Sequence, residues 1–146
     1  MQPSKLPILK FTPIFKSVLW GGKRIAQFKN MPPQGDHVGE SWELSPMKGN
    51  ESVVSEGPMK GRTLPELMIS DGEEIMGKRL YAKYGDKFPL LIKFIDSTDD
   101  LSIQVHPDDE LAAKRHNSLG KTEMWFSVLP AEGAYLYAGF KKQITP

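Results

Sequence analysis

A segment of strict alternation between apolar and polar residues lies at positions 101–106, and this pattern predicts a half-buried β-strand. The odd positions are apolar, and the even positions are Ser102, Gln104 and His106. Successive side chains on a strand point to opposite faces of the sheet. We therefore expect Gln104 and His106 to lie on the same face, close enough to share one small ligand.

A second alternating segment follows at residues 122–129, and it is predicted to form a hairpin with residues 134–139. By the same rule of alternation, Lys121, Glu123 and Trp125 share one face of this strand. The two segments together would present an imidazole, an amide, a carboxylate and an ammonium group on strands that could face one cavity.

The remaining periodicity predicts further strands and a few helices. Residues 7–13 suit an edge strand because proline is tolerated there, and strands are also predicted over residues 38–45 and 90–95. The clearest helix is predicted over residues 63–78, where Thr63 and Glu66 fit a capping box and residues 71–72 break the pattern. Shorter helices are predicted over residues 23–28 and 108–115, and residues 81–87 read as a polar link. The chain is therefore predicted to be mainly β, with two or three peripheral helices.

Composition narrows the class of protein but does not select a function. The 146 residues correspond to the size of one domain, with 39% hydrophobic and 25% charged residues and a net charge of +1. The charge balance favours neither a nucleic-acid partner nor an anionic membrane. The absence of cysteine excludes disulfides and thiolate metal sites. We expect a cytoplasmic protein, since no apolar signal segment or membrane span is evident.

A histidine, a glutamate and an oxygen ligand suit zinc or another divalent first-row ion that keeps positions open for water or substrate. Residue types alone leave an alternative open, in which these polar strand faces are merely solvated. His37 in a loop and His116 at a helix end are expected to be bystanders.

Four short motifs carry a resemblance to a known family. In chain order they are LWGG at residues 19–22, GESWELS at 39–45, S-x-Q-V-H-P-D-D at 102–109 and G-K-T-E-x-W at 120–125. Together they resemble type I mannose-6-phosphate isomerase, also called phosphomannose isomerase. The resemblance covers essentially the whole chain and matches the N-terminal portion of the shorter bacterial members. It implies a cupin-like, jelly-roll β-barrel or sandwich that is incomplete in this chain.

The resemblance also implies a role for each matching residue. The zinc-binding histidine and glutamate of the family correspond to His106 and Glu123, and a glutamine that ligates in some members corresponds to Gln104. Lys121 is implied to lie beside the substrate as a catalytic residue. Two further residues are implied to contact the substrate or line its pocket: Ser102 and Trp20.

The motifs present here account for about half of the family's site. The family supplies a further histidine ligand and an active-site arginine from later in the chain, so we expect a C-terminal portion or a second polypeptide to complete the site. A helix opening at residues 144–146 fits that view. We predict one cupin-like domain over residues 1–146, with lead-in strands and a helix in 1–88 and metal-site strands in 89–146. The isolated chain should be weakly active or inactive.

The implied reaction is the metal-dependent interconversion of mannose 6-phosphate and fructose 6-phosphate, an aldose–ketose isomerisation of carbohydrate metabolism. A proton leaves C2, and the negative charge that develops on O1 and O2 of the enediol needs an electrophile, which a divalent ion provides. Two functional alternatives remain open. A non-catalytic cupin would bind the sugar phosphate without turning it over, and an iron oxygenase would normally want a second histidine where Gln104 stands.

Overall fold

A computed structural model of the chain describes residues 6–142, which divide into two compact units that meet in sequence between residues 101 and 102. The predicted helix opening at residues 144–146 lies outside the described residues. Within the described range, no helix has the length and apolar character needed to cross a membrane. The arrangement as one cupin-like domain, with a lead-in that ends at residue 88, stays a prediction.

The first unit is organised around a three-stranded antiparallel sheet in the order β1-β2-β3. The strands are β1 (Ile14–Gly22), β2 (Val38–Leu44) and β3 (Ile92–Ile95). In the centre, β2 alternates its side chains between two partly buried faces. Trp42 Nε1 donates a hydrogen bond of 2.7 Å to Glu40 on one face, and Lys29 Nζ lies 2.6 Å from Glu43 on the other. The strands predicted over residues 38–45 and 90–95 are confirmed.

The described residues form four short helices. Three are in the first unit, α1 (Arg24–Phe28), α2 (Leu64–Met76) and α3 (Lys78–Tyr84), and α4 (Asp109–His116) is in the second. Helix α2 begins at the predicted capping box, where Thr63 N donates to Glu66 Oε2 at 2.7 Å. Its backbone is non-helical at Asp71, the predicted break. The spacing of Leu64, Leu67 and Met68 places them on one side of α2, where they are almost completely buried in the core.

The end of β1 is tied to the residue that follows β3. Asp96, which is 3% exposed, accepts hydrogen bonds from Arg24 N at 2.7 Å and from Arg24 Nε at 2.9 Å. Its backbone carbonyl accepts from Gly22 N at 3.1 Å, and its own N–H donates to Gly39 at 2.9 Å. A Cβ on Gly22 would lie 2.1 Å from Asp96 Oδ2, so this junction requires glycine. The backbone of Asp96 therefore bonds to β1 and β2, while its carboxylate binds Arg24 at the start of α1.

Several predicted elements differ in the structure. Residues 7–13 contribute an isolated bridge between Phe11 and Val54 instead of an edge strand. The predicted polar link at residues 81–87 is wrong at its start, because α3 continues to Tyr84. Residues 101–106, 122–129 and 134–139 have no strand assignment. Alternation indicates which side chains share a face, but a strand also needs a hydrogen-bonded neighbour. Within the described residues these three segments form no such ladder, although the turn between the last two is present, with Ala134 N donating to Ala131 O at 3.1 Å.

Candidate functional site

Helix α4 lies in the second unit, and the chain segments before and after it meet at its start. The segment before the helix is the first arm, and the segment after it is the returning arm. Asp108 caps the helix by accepting a hydrogen bond from Leu111 N at 2.8 Å, and Asn117 ends it in the left-handed conformation, with φ of 49°. The chain then returns, so that Lys121 N donates to Pro107 O at 3.3 Å. The arm before the helix carries His106, and the arm after it carries Lys121 and the residues that follow.

The returning arm brings three of the predicted site residues together. Glu123 Oε2 lies 3.3 Å from His106 Nε2, and Glu123 Oε1 lies 3.5 Å from Lys121 Nζ. The His106 and Glu123 side chains are 23% and 31% exposed, so the pair is accessible at the surface of the unit. The imidazole, the carboxylate and the ammonium group that the alternation predicted on shared faces are neighbours in space.

The electrostatic environment keeps Glu123 ionised. Burial of the carboxyl raises its pKa, but the charge of Lys121, a hydrogen bond from the Trp125 side chain, the charge of His106 and a hydrogen bond from Lys121 all lower it. These favourable contacts outweigh burial, so the pKa of Glu123 lies below its ordinary value of 4.5. At neutral pH the group is therefore a carboxylate, the form that binds a cation.

Ser102 and Gln104 are also neighbours on the first arm. Gln104 Nε2 donates a hydrogen bond of 2.9 Å to Ser102 Oγ, and both residues are exposed. This i, i+2 contact agrees with the shared face predicted by alternation, although the segment is not part of a ladder. A ligand role for Gln104 and a substrate contact for Ser102 stay predictions.

The pair formed by His106 and Glu123 fits two adjacent positions of a divalent ion. Two ligand atoms at tetrahedral positions around zinc, each about 2.0–2.2 Å from the metal, are about 3.4 Å apart. The observed separation of 3.3 Å between Nε2 and Oε2 matches that value. Among residues 6–142 there is no group of three or more His, Cys, Asp and Glu side chains that could hold a metal. His106 and Glu123 are therefore a pair of candidate donors and not a complete ligand set within the described residues.

Trp20 belongs to the first unit, near the end of β1. Its backbone carbonyl accepts a hydrogen bond from Thr98 N at 2.9 Å, and its half-buried ring lies against Gly39. A Cβ on Gly39 would be 2.5 Å from Cζ3 of the ring, so the indole can occupy this place only because that residue is glycine. The predicted place of Trp20 in a pocket wall stays a prediction.

The two histidines expected to be bystanders are both exposed. His37 lies in the loop before β2, and His116 is the last residue of α4.

Two contacts of the site were missed by the sequence interpretation. The sequence predicts a helix over residues 108–115, but not that Asp109 Oδ1 accepts a hydrogen bond of 2.9 Å from Gly120 N. Trp125 was placed on the same face as Glu123, but its hydrogen bond to that carboxyl was not anticipated. Alternation contains the signal for the second contact. The first depends on how the chain returns after α4.

Comparisons with known proteins agree on one family. The family model described as phosphomannose isomerase type I, catalytic domain, matches residues 8–131. The mannose-6-phosphate isomerase ManA of Bacillus subtilis is 41% identical over 122 residues, which are 82% of this chain and 36% of that protein. A mannose-6-phosphate isomerase of Streptococcus mutans is 36% identical over 121 residues, 83% of this chain and 37% of the relative.

A solved structure is also similar. The crystal structure of the mannose 6-phosphate isomerase from Bacillus subtilis matches with a TM-score of 0.66 and 36% sequence identity, covering 77% of this chain and 34% of that one. The chain thus spans little more than a third of the length of the curated relatives it matches.

Proposed function

The chain belongs to the phosphomannose isomerase type I family, and on that premise we propose that it contributes to the reversible interconversion of mannose 6-phosphate and fructose 6-phosphate. The observation that carries this proposal is the 3.3 Å contact between His106 Nε2 and Glu123 Oε2, with Lys121 beside it. The relatives named for this activity are similar across most of this chain, and all of the assigned residues except Trp20 lie within one compact unit.

We assign His106 and Glu123 as ligands of a divalent metal ion, zinc by preference, and Gln104 as a third donor. Imidazole and carboxylate groups are common zinc ligands, and the depressed pKa of Glu123 keeps its oxygens available. His106 must be neutral to ligate, so proton binding and metal binding compete at its Nε2 atom. When bound, the ion supplies an electrophile with open positions for the developing negative charge.

Lys121 is assigned the catalytic role among these residues. The Lys121 side chain is half exposed, at 50%. Its Nζ atom lies 3.5 Å from Glu123 Oε1, which holds the ammonium beside the candidate metal ligands. A fixed positive charge there stabilises the negative charge that develops on O1 and O2 of the sugar as the C2 proton leaves. Because the Glu123 carboxylate partly neutralises the charge of Lys121, the site of the free enzyme does not contain an isolated positive charge.

Ser102 and Trp20 are assigned to substrate binding. The Ser102 hydroxyl accepts a hydrogen bond from Gln104 and can still donate its own proton to a phosphate or sugar oxygen. Trp20 offers a flat apolar face, the usual partner of the C–H surface of a sugar ring in a pocket. We propose that residues outside this chain add the further histidine and the arginine of the site and complete a cupin-like barrel, in a protein that acts in the cytoplasm.

The metal assignment is tested by zinc binding to a protein of the length of the relatives that contains this chain, measured by competition with a chromophoric chelator. We expect His106→Ala and Glu123→Gln to lose zinc retention with little loss of fold, because both side chains lie at the surface of the second unit. Matched controls are His116→Ala, at the exposed end of α4, and Glu132→Gln, in an exposed turn. Wild-type zinc content in either ligand variant would refute the assignment.

The activity is tested by a coupled assay for fructose 6-phosphate formation, with a protein of the length of the relatives that contains this chain. Turnover of mannose 6-phosphate that requires the metal and is lost in Lys121→Met supports the proposal. A protein that binds zinc and the sugar phosphate but forms no product would instead be a non-catalytic binding protein.

A further inference from the structure

The hydrogen bond between Asp109 and Gly120 joins the arm that carries Glu123 to the first residue of α4, three positions after His106. We propose that Asp109 is a positioning residue, which holds the returning arm so that Glu123 meets His106. Asp109 Oδ1 accepts from Gly120 N at 2.9 Å, and one residue later Lys121 N donates to Pro107 O at 3.3 Å. The bond to Pro107 runs between the two arms and the bond to Asp109 ties the returning arm to the start of α4, both close in sequence to His106 and Glu123.

The position of Glu123 depends on such bonds because the second unit has little core. Between residues 102 and 142, Ala112 is the one buried residue, and it lies in the middle of α4. Apolar packing therefore cannot fix where the returning arm lies against the start of the helix. Instead, the directional hydrogen bonds of the returning arm set the 3.3 Å separation of His106 Nε2 and Glu123 Oε2.

Gly120 provides a second, independent observation. A Cβ at this position would lie 2.6 Å from the carbonyl carbon of Asp108 and 2.7 Å from the backbone nitrogen of Asp109. These are backbone atoms at the start of a helix and cannot move aside as a flexible side chain can. The arm can approach α4 closely enough for the bond to Asp109 only because residue 120 is glycine.

The neighbouring Glu110 separates this role from a general effect of charge. Both acidic residues occupy the first turn of α4, where either one is favourable to the helix dipole. The described hydrogen bond to Gly120 is made by Asp109. If the dipole were the whole explanation, the two residues would be equivalent, whereas positioning requires Asp109 alone.

The test uses two readouts, because this role presupposes the metal site proposed above. The first is the zinc affinity of a protein of the relatives' length that contains this chain, measured by chelator competition. The second is the nuclear Overhauser effect between the His106 ring and the Glu123 side chain in the metal-free protein, which needs no metal and no activity. The variants are Asp109→Ala, Asp109→Asn, which keeps an acceptor oxygen, Gly120→Ala and the control Glu110→Ala.

We expect Asp109→Ala and Gly120→Ala to weaken zinc binding by about 10–100-fold, as loss of outer contacts does at metal sites, and to weaken the Overhauser effect. Asp109→Asn should recover most of both signals, and Glu110→Ala should match the wild type. Because Gly120→Ala leaves the Asp109 carboxylate in place, agreement between these two variants excludes simple loss of charge.

The proposal is overturned if Asp109→Ala retains the wild-type Overhauser effect, or if Glu110→Ala loses as much zinc affinity as Asp109→Ala. It is also overturned if the wild-type chain shows no contact between His106 and Glu123 in solution. If the chain shows the contact and its dependence on Asp109, but a protein of the relatives' length that contains the chain binds no zinc, the proposed function is contradicted and the positioning role stands.

Discussion

Replacing Asp96 with alanine should destabilise the first unit, because its buried carboxylate holds the start of α1 against the end of β3. The side chain is 3% exposed and accepts two hydrogen bonds from Arg24, one from the backbone N–H at 2.7 Å and one from Nε at 2.9 Å. Asp96→Ala leaves both donors without this acceptor while the rest of the sheet is unchanged.

The expected cost follows from the exposure of each partner. A hydrogen bond from a backbone N–H to a buried ionised acceptor contributes about 1.5–3 kcal/mol. The Arg24 side chain is 51% exposed, so water can replace its ion pair, and such a pair contributes about 0–1 kcal/mol. Asp96→Ala should therefore lower the free energy of unfolding by about 2–4 kcal/mol. Asp96→Asn, which keeps one acceptor oxygen, should lower it by about 1–2 kcal/mol.

Thermal unfolding followed by circular dichroism measures this effect, with urea unfolding as a second estimate of the free energy. For a unit of roughly 100 residues, a loss of about 2 kcal/mol lowers the midpoint by at least about 8 °C. Asp86→Ala, in the exposed turn before β3, is the control and should melt like the wild type. A midpoint for Asp96→Ala within about 3 °C of the wild type would show that the carboxylate does not stabilise the junction between α1 and the end of β3.

Three further predictions concern the metal site and the core. Lys121→Met should raise the pKa of Glu123 towards its ordinary value, because it removes a charge and a hydrogen bond that lower it; carboxyl carbon NMR titration measures this. In the wild type, the stability contributed by ionised Glu123 should be present above pH 4.5 and lost as pH falls through its depressed folded pKa, seen as the difference in melting between wild type and Glu123→Gln across pH. Leu67→Ala, at a position that is 0% exposed, should cost about 2–5 kcal/mol in urea unfolding, whereas Ile69→Ala, at 70% exposure, should cost far less.

Each of these predictions has a result that contradicts it. An unchanged Glu123 titration in Lys121→Met would mean that the 3.5 Å contact is not formed in solution. A constant difference in melting between wild type and Glu123→Gln from pH 3 to pH 7 would remove the link between ionisation and stability. Equal costs for the two α2 variants would place the core on the wrong side of that helix.

Helix α2 shows how much of the fold is encoded locally. Its start follows from the capping box of Thr63 and Glu66, and its buried side follows from the spacing of Leu64, Leu67 and Met68. These interactions join residues three or four positions apart, so they are visible in the order of amino acids. For the same reason the starts and ends of α1 and α4 were predicted to within a residue of their observed positions.

Strand β1 shows the limit of that approach. The sequence pattern predicts an edge strand at residues 7–13, but the structure has a strand from Ile14 to Gly22. The pairing of β1 with β2 is irregular between Lys16 and Ser17 and again between Ser17 and Gly22, so the alternation along β1 is interrupted. Its partner lies about twenty residues away and decides where it pairs.

The candidate site divides in the same way. Alternation correctly placed Gln104 beside Ser102 and grouped Glu123 with Lys121 and Trp125. It could not show that the arm carrying Glu123 returns to His106, because that step depends on the left-handed Asn117 and the close approach of Gly120 to α4.

The amino-acid order by itself determined the family, the types of side chain offered to a metal and the faces on which neighbouring residues lie, since each follows from motifs or contacts a few residues apart. The tertiary structure alone decided which strand pairs with β2, that three predicted strands form no ladder in the described residues, and that an imidazole and a carboxylate seventeen positions apart come within 3.3 Å. The physical reason is that pairing and ligand geometry depend on contacts between distant parts of the chain, which local pattern does not encode.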